Sequence, residues 1–391
     1  MRKISADIIY SNTSPPQENG VLIIEDDGTV LDMLDSTDGL DDIEYHSGAI
    51  CPGFVNVHCH LELSHLFGVL PEKKGLLNFL KPIIEIRVAD EDVVQAAMIE
   101  ADAAMIAEGI VAVGDICNES VSFGIKLKSD IRYHNFVEVI GIDPEGAKGR
   151  FDIGDKVYKE SIDMGLPCSI VPHAPYTISP DLLAFINNLS AEKKFPVCFH
   201  NQESEEEREL FVHRSGAFVE FYKQRGLEID FFNPTTDSSL AWMAENLSSA
   251  SKLMAVHNTY TTIDDIKLAS EYYPLMYWCF CPKANLYIED NTPDFSLFKD
   301  YEDRITIGTD SLASNSGLSI IEELKTISLV DPTIDLKTLI KWATLNGAEY
   351  LGFAEELGSF EKGKKPGVNL ISSLGEGGRQ LVADSKVNKL A

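Results

Sequence analysis

The sequence predicts an α/β protein: a TIM-type (β/α)8 barrel with a small β-sandwich domain formed by the N- and C-terminal segments. Three observations predict it. Eight apolar, strand-like runs recur within residues 51–365, and amphipathic helical stretches fill most of the gaps between them. Both ends of the chain, 1–50 and 366–391, read as short strands broken by turns. Five of the nine histidines, and one aspartate, fall at the carboxyl ends of predicted strands.

The opening segment holds "ADIIYS", "GVLIIEDDGTVLDML" and "IEYHSGAI", interrupted by Pro15, Pro16, Gly20 and the Asp27-Gly28 turn pair. The closing segment returns to this texture with "GVNLISS" and "LVADSKVN", so the two ends are expected to pair into one small domain. Between them run "GFVNVH", "IVAVGDI", "YHNFVEVIG", "CSIVPHAP", "PVCFHNQ", "LMAVHNTY", "LMYWCFCP" and "RITIGTDS". Stretches such as "EDVVQAAMIEADAAMIAEG" and "PDLLAFINNLSAEKK" carry apolar residues at helical spacing. Strands alternating with helices imply a parallel sheet, and eight such units imply a closed barrel over 51–365. An open doubly wound sheet is the rival, but it usually carries a Gly-rich phosphate loop after its first strand, and this chain has none.

The chain's 391 residues exceed a typical single domain, which suits one large domain with an accessory module. Its net charge of −29 repels phosphate backbones and anionic membranes. The expected partner is therefore a small-molecule substrate, with neither nucleic acid nor membrane. The seven cysteines are odd in number and form no close CxxC pair, which suits reduced thiols. The first twenty residues contain no apolar signal core, so a cytoplasmic location is expected.

The carboxyl ends of barrel strands share one rim, where active sites are built. His58 and His60 alternate along one strand and so face the same side, while Cys59 faces away. Two neutral imidazoles make half of a divalent-metal site, although a lone HxH also suits two satisfied polar residues at a strand end. His200 offers a third nitrogen and Asp310 a carboxylate. Three histidines, one aspartate and a water form an open, catalytic shell. The fourth strand carries His173 and no lysine that could bridge two metals, which favours one metal ion. His257 is then free to hydrogen-bond the attacking water or steady developing charge. Glu203, three residues past His200, is placed to shuttle protons for a hydrolytic deamination; capping of the acidic "ESEEERE" helix start is its alternative.

The segments "GFVNVHCHLELS", "PHAPYTIS", "HNQESEEE", "AVHNTYT", "CPKANLYI" and "IGTDSLASN" together resemble the amidohydrolase superfamily. They are most similar to its aminohydrolase branch, which deaminates guanine and other purines, adenosyl compounds and aminofutalosine and includes related chlorohydrolases. "ATLNGAEYLGFAEELGSFEKGKKPGVNLI" resembles that family's closing segment. The resemblance implies that His58, His60, His200 and Asp310 bind the metal, with Asp310 also taking a proton from its water. It implies Glu203 as proton shuttle, His257 as water-orienting or charge-stabilising residue, and His173 as a substrate contact. Glu62 matches a position where nucleoside-type members hold a ribose hydroxyl, a solvent-facing carboxylate being its other reading. Asn201-Gln202 and Lys283-Ala284 depart from the family pattern and are expected beside the pocket. A homodimer is suggested by the family alone.

The expected function is metal-dependent hydrolytic deamination of an aminated heterocycle. The leading substrate is a 6-aminopurine nucleoside derivative such as 6-amino-6-deoxyfutalosine. Alternatives are a free purine or pterin, opening of a cyclic amide of the imidazolone type, and a metal-binding protein without catalysis. The expected cofactor is one Zn2+, with Fe2+ and Mn2+ as other fits to N/O ligands. Substrate choice is expected to lie in the loops 61–90 and 201–235.

Overall fold

A computed structural model of the chain describes residues 1–227, 229 and 232–391. Four strands come first: β1 (Arg2–Ile9), β2 (Val21–Ile24), β3 (Val30–Leu34) and β4 (Glu44–Pro52). Eight follow: β5 (Phe54–Cys59), β6 (Ile110–Cys117), β7 (Arg132–Val139), β8 (Cys168–Pro172), β9 (Pro196–Asn201), β10 (Lys252–His257), β11 (Tyr277–Phe280) and β12 (Ile305–Ile307). The last two are β13 (Val368–Ser372) and β14 (Lys386–Lys389). β5 to β12 each overlap one of the eight runs that predicted a barrel strand.

These eight strands pair as two parallel halves, β5-β6-β7-β8 and β9-β10-β11-β12. Hydrogen bonds at two seams join the halves. Between β8 and β9, the His200 N–H donates to the His173 carbonyl at 2.8 Å. Past β12, the N–H groups of Thr309 and Asp310 both donate to the His58 carbonyl at 3.0 Å. Asn56 locks this second seam, donating to Thr309 Oγ1 at 2.7 Å and accepting the Thr309 N–H at 3.1 Å. The seams run through His58, His173, His200 and Asp310, so the contacts that close the barrel also gather the predicted site.

β5 and β8 are buried along their whole length, because one face meets the barrel interior and the other the helical layer. The helix Pro180–Lys193 shows how the sequence sets this layer: Ser179 Oγ accepts the Leu182 N–H, Pro180 starts the first turn, and Lys194 ends it at φ 59°. Helix Glu91–Ala107 likewise falls where the apolar spacing predicted one.

Both chain ends meet in a single six-stranded sheet of order β14-β13-β4-β1-β2-β3. It has its own small core, including Ile4, Leu22, Ile50, Phe360 and Val368. Gly53 alone separates β4 from β5. A Cβ there would lie 2.4 Å from Val111 Cγ1 and 2.7 Å from the Pro366 carbonyl oxygen, so only glycine lets the chain pass between sheet and barrel. Among the described residues, no helix is long and apolar enough to cross a membrane. All seven cysteines are buried free thiols.

Candidate metal centre and active site

Three imidazoles and a carboxylate converge at the carboxyl ends of β5, β9 and β12. His58 Nε2 lies 3.2 Å from both His60 Nε2 and His200 Nε2, and His60 Nε2 lies 3.3 Å from His200 Nε2. Asp310 Oδ1 stands 3.2 Å from His60 Nε2 and 3.6 Å from His58 Nε2. All four predicted ligands are thus together. Burial lowers the pKa of His58 and His60, and that of His200 well below the ordinary value, so these rings are neutral. The His200 Nδ1–H donates to the His173 carbonyl at 2.9 Å, which leaves a lone pair on Nε2. Tetrahedral zinc with Zn–N bonds of about 2.0–2.1 Å would hold its nitrogens about 3.3–3.4 Å apart. The donor set and its spacing fit a divalent cation.

Asp310 is fixed in place by its surroundings. Ser314 Oγ donates to Oδ2 at 2.5 Å. Its backbone has φ 58°, a left-handed conformation costly for a non-glycine residue. Gly308, two residues earlier, makes room: a Cβ there would sit 2.7 Å from His58 Cβ.

His257 joins the same cluster, one ligand atom each of His58, His200, His257 and Asp310 lying within 4.8 Å of one another. It also has left-handed φ, 75°, as does Asn258 at 60°. Asn258 secures the turn by donating to the carbonyls of Ala255 at 3.1 Å and Cys279 at 3.2 Å. The Nδ1 of His257 meets Asn285 Oδ1 at 2.8 Å, and its Nε2 lies 3.8 Å from Glu203 Oε1. Glu203 is buried, and that burial, with the charges of Asp310 and Glu289, pushes its carboxyl well above the usual carboxylate range. A carboxyl raised in this way holds its proton to higher pH than an exposed one and can donate it.

These groups form the floor of a cavity of about 590 Å³ whose walls are mainly apolar. Helix Leu76–Ile86 lines it through Leu76, Phe79 and Ile83, and helix Ala217–Gln224 through Phe218, Phe221 and Tyr222. Both belong to the loops expected to choose substrate; residues 228, 230 and 231 of the second lie outside the described residues. Arg87, Arg150 and Arg225 also line the cavity. His173 is on its wall, with Nδ1 3.0 Å from Thr177 Oγ1.

Three expectations change. Glu62 is not on the cavity wall, nor does it face solvent: it is buried, accepting the backbone N–H groups of Asn118 at 3.1 Å and Glu119 at 3.3 Å. Burial raises its pKa to about 7. Glu138, which the sequence reading passed over, lines the cavity instead, and Asn118 Nδ2 donates to its carboxylate at 3.2 Å. Its one signal was a lone acidic residue near the end of an apolar strand. Asn201 and Lys283 also turn away from the cavity. Asn201 Nδ2 donates to Asn258 Oδ1 at 3.0 Å, and Lys283 Nζ to Ser316 Oγ at 2.8 Å, so the first braces the His257 turn and the second a neighbouring loop.

The profile of the amidohydrolase family matches residues 49–383. A 5-methylthioadenosine/S-adenosylhomocysteine deaminase of Desulforamulus reducens is 26% identical over 91% of this chain and 81% of its own. An adenosine deaminase of Helicobacter pylori is 23% identical over 84% of this chain and 80% of its own. Among solved structures, Helicobacter pylori aminofutalosine deaminase in complex with methylthio-coformycin superposes with a TM-score of 0.77 at 19% identity, covering 96% of this chain and 93% of that one. An adenosine deaminase of Xanthomonas campestris with bound zinc gives 0.71 at 22% identity, covering 94% and 84%.

Proposed function

The chain belongs to the amidohydrolase family, and from that premise we propose that it hydrolytically deaminates a 6-aminopurine nucleoside derivative. On this reading residues 51–365 are the catalytic barrel, and 1–50 with 366–391 a small accessory β domain. His58, His60, His200 and Asp310 hold one divalent ion. Zinc is the proposed ion because it favours imidazole and carboxylate ligands and is bound in the Xanthomonas relative.

A cation held there would lower the pKa of a bound water to about 7 and so supply a nucleophile at neutral pH. The chain's own groups do the rest. Asp310 takes the proton that the attacking water gives up. Glu203 delivers its proton to the ring nitrogen beside the amine-bearing carbon, which makes that carbon electrophilic. His257 Nε2 accepts a hydrogen bond from the water and steadies charge at the tetrahedral centre. Asp310 passes the proton from the water on to the amine, ammonia leaves, and the hydroxyl proton released as the carbonyl forms returns Glu203 to its acid form. His173 contacts the substrate ring, and the apolar walls exclude competing water.

The observation that carries this reading is the raised Glu203 carboxyl 3.8 Å from His257 Nε2, beside the histidine cluster. The cavity volume favours a nucleoside with an extended substituent, as in 6-amino-6-deoxyfutalosine, over a free purine or pterin. The named deaminases among its relatives support the same class. The test is ammonia release from adenosine, 5′-methylthioadenosine, 6-amino-6-deoxyfutalosine, adenine, a pterin and a cyclic imidazolone. Ammonia from the nucleosides supports the reading. Turnover of the imidazolone alone, which frees no ammonia, would replace it with ring opening.

A further inference from the structure

Lys126 is a buried lysine. Its side chain and that of Asp115 are both 0% exposed, and Nζ lies 2.6 Å from Asp115 Oδ2. Neither residue lines the cavity. Burying two charges costs several kcal/mol per ion before pairing repays it, so such a pair is held by built-in partners. Here Nζ also donates to Asn135 Oδ1 at 2.6 Å, and Asn135 Nδ2 donates to Ser161 Oγ at 2.9 Å. The rings of Phe123 and Tyr133 flank the ammonium at 5.6 and 5.4 Å.

The free end of this network points at the metal centre. Asp115 Oδ1 accepts the backbone N–H of Leu61 at 2.8 Å. Leu61 directly follows His60 and opens the short 3-10 turn Leu61–Leu66. The next residue, Glu62, is tied by its carboxylate to the backbone N–H groups of Asn118 and Glu119. Two successive residues after His60 are therefore anchored to β6 and the turn that follows it.

We propose that the Asp115–Lys126 pair positions the metal centre: the Asp115 oxygen that accepts the Leu61 N–H sets the direction in which the chain leaves His60, and so where His60 Nε2 falls relative to His58 and His200, while Lys126 neutralises the buried carboxylate that supplies this oxygen. This rests on the metal-centre reading above. The ion pair acts through an acceptor atom, and that makes it separable from a general effect of burial.

The test uses the full chain loaded with Co2+, reading the Co2+ dissociation constant against a chelator, the Co2+ absorption spectrum, and the melting temperature of the metal-free protein. Lys126→Met is expected to weaken Co2+ binding by about 10–100-fold, as loss of an outer partner does, and to alter the spectrum. The double variant Asp115→Asn/Lys126→Met removes both charges but keeps an acceptor oxygen, and is expected to restore wild-type affinity and spectrum. Asp115→Leu/Lys126→Met is equally neutral but lacks the acceptor, and is expected to stay impaired. The two doubles bury no charge, so they keep the comparison alive if Lys126→Met alone does not fold. Wild-type affinity and spectrum in the Leu/Met variant, or equal impairment of both doubles, would overturn the proposal. A wild-type protein that binds no Co2+ would overturn the metal-centre reading itself, whereas unchanged variants of a metal-binding protein overturn only the role of the Asp115–Lys126 pair.

Discussion

His60 and His200 are 140 positions apart in the chain, yet their Nε2 atoms stand 3.3 Å apart. The rings lie nearly parallel, with an interplanar angle of 22°. Two neutral imidazoles presenting lone pairs to each other repel unless a proton or cation lies between them. Burial disfavours a second proton on either ring, and a cation between the two Nε2 atoms would satisfy both lone pairs.

Glu203→Gln is predicted to keep its metal and lose turnover. The amide preserves shape but has no acidic proton to give. Loss of positioned proton transfer lowers kcat by about 10²–10⁴-fold. Metal analysis beside steady-state kinetics checks this, and a rate like the wild type's would remove Glu203 from the scheme.

Asp310→Ala is predicted to lose both activity and metal. Its carboxylate faces His58 and His60 directly. The fall in metal affinity should exceed the roughly 10–100-fold that loss of an outer partner costs. Chelator competition measures it.

Gly308→Ala is predicted to destabilise the barrel seam beside the site. The new Cβ would meet His58 Cβ at 2.7 Å and both Cys279 Sγ and Cys281 Sγ at 2.9 Å. Overpacking of this kind costs about 1–3 kcal/mol. Chemical denaturation of the metal-free variant should show it, and displacement of His58 should weaken metal binding as well.

Stability is predicted to fall with rising pH through a buried carboxyl away from the metal cluster. Burial raises the Glu207 pKa to about 8. Its folded pKa is above its unfolded one, so the folded state binds the proton more tightly. Its contribution is complete below the unfolded value and is lost as pH rises to about 8, at about 1.4 kcal/mol per pH unit. Glu207→Gln should remove this slope from denaturation curves recorded between about pH 5 and 8.

Strand runs and strand-end histidines were readable because they follow simple periods. Alternation along β5 aims His58 and His60 at one point, and Cys59 turns into the core. His257 and Asp310 could be located but not aimed, because both sit beyond alternation in left-handed backbone. Asn201 ends β9, where alternation turns it away from the face of His200, and its amide holds Asn258. Glu62 follows a turn after β5 that is held by Asp115, some fifty positions later, so where its carboxylate goes was not readable from the local pattern. Nothing in the pattern around Lys126 marks it as buried, since only the pairing with Asp115 makes its burial tolerable.

The most direct test is metal content and ammonia release measured on the same preparation before and after chelation. One divalent ion per chain, turnover abolished when it is removed and regained when Zn2+ is added back, is the predicted result. Undiminished turnover by the stripped protein would contradict the account.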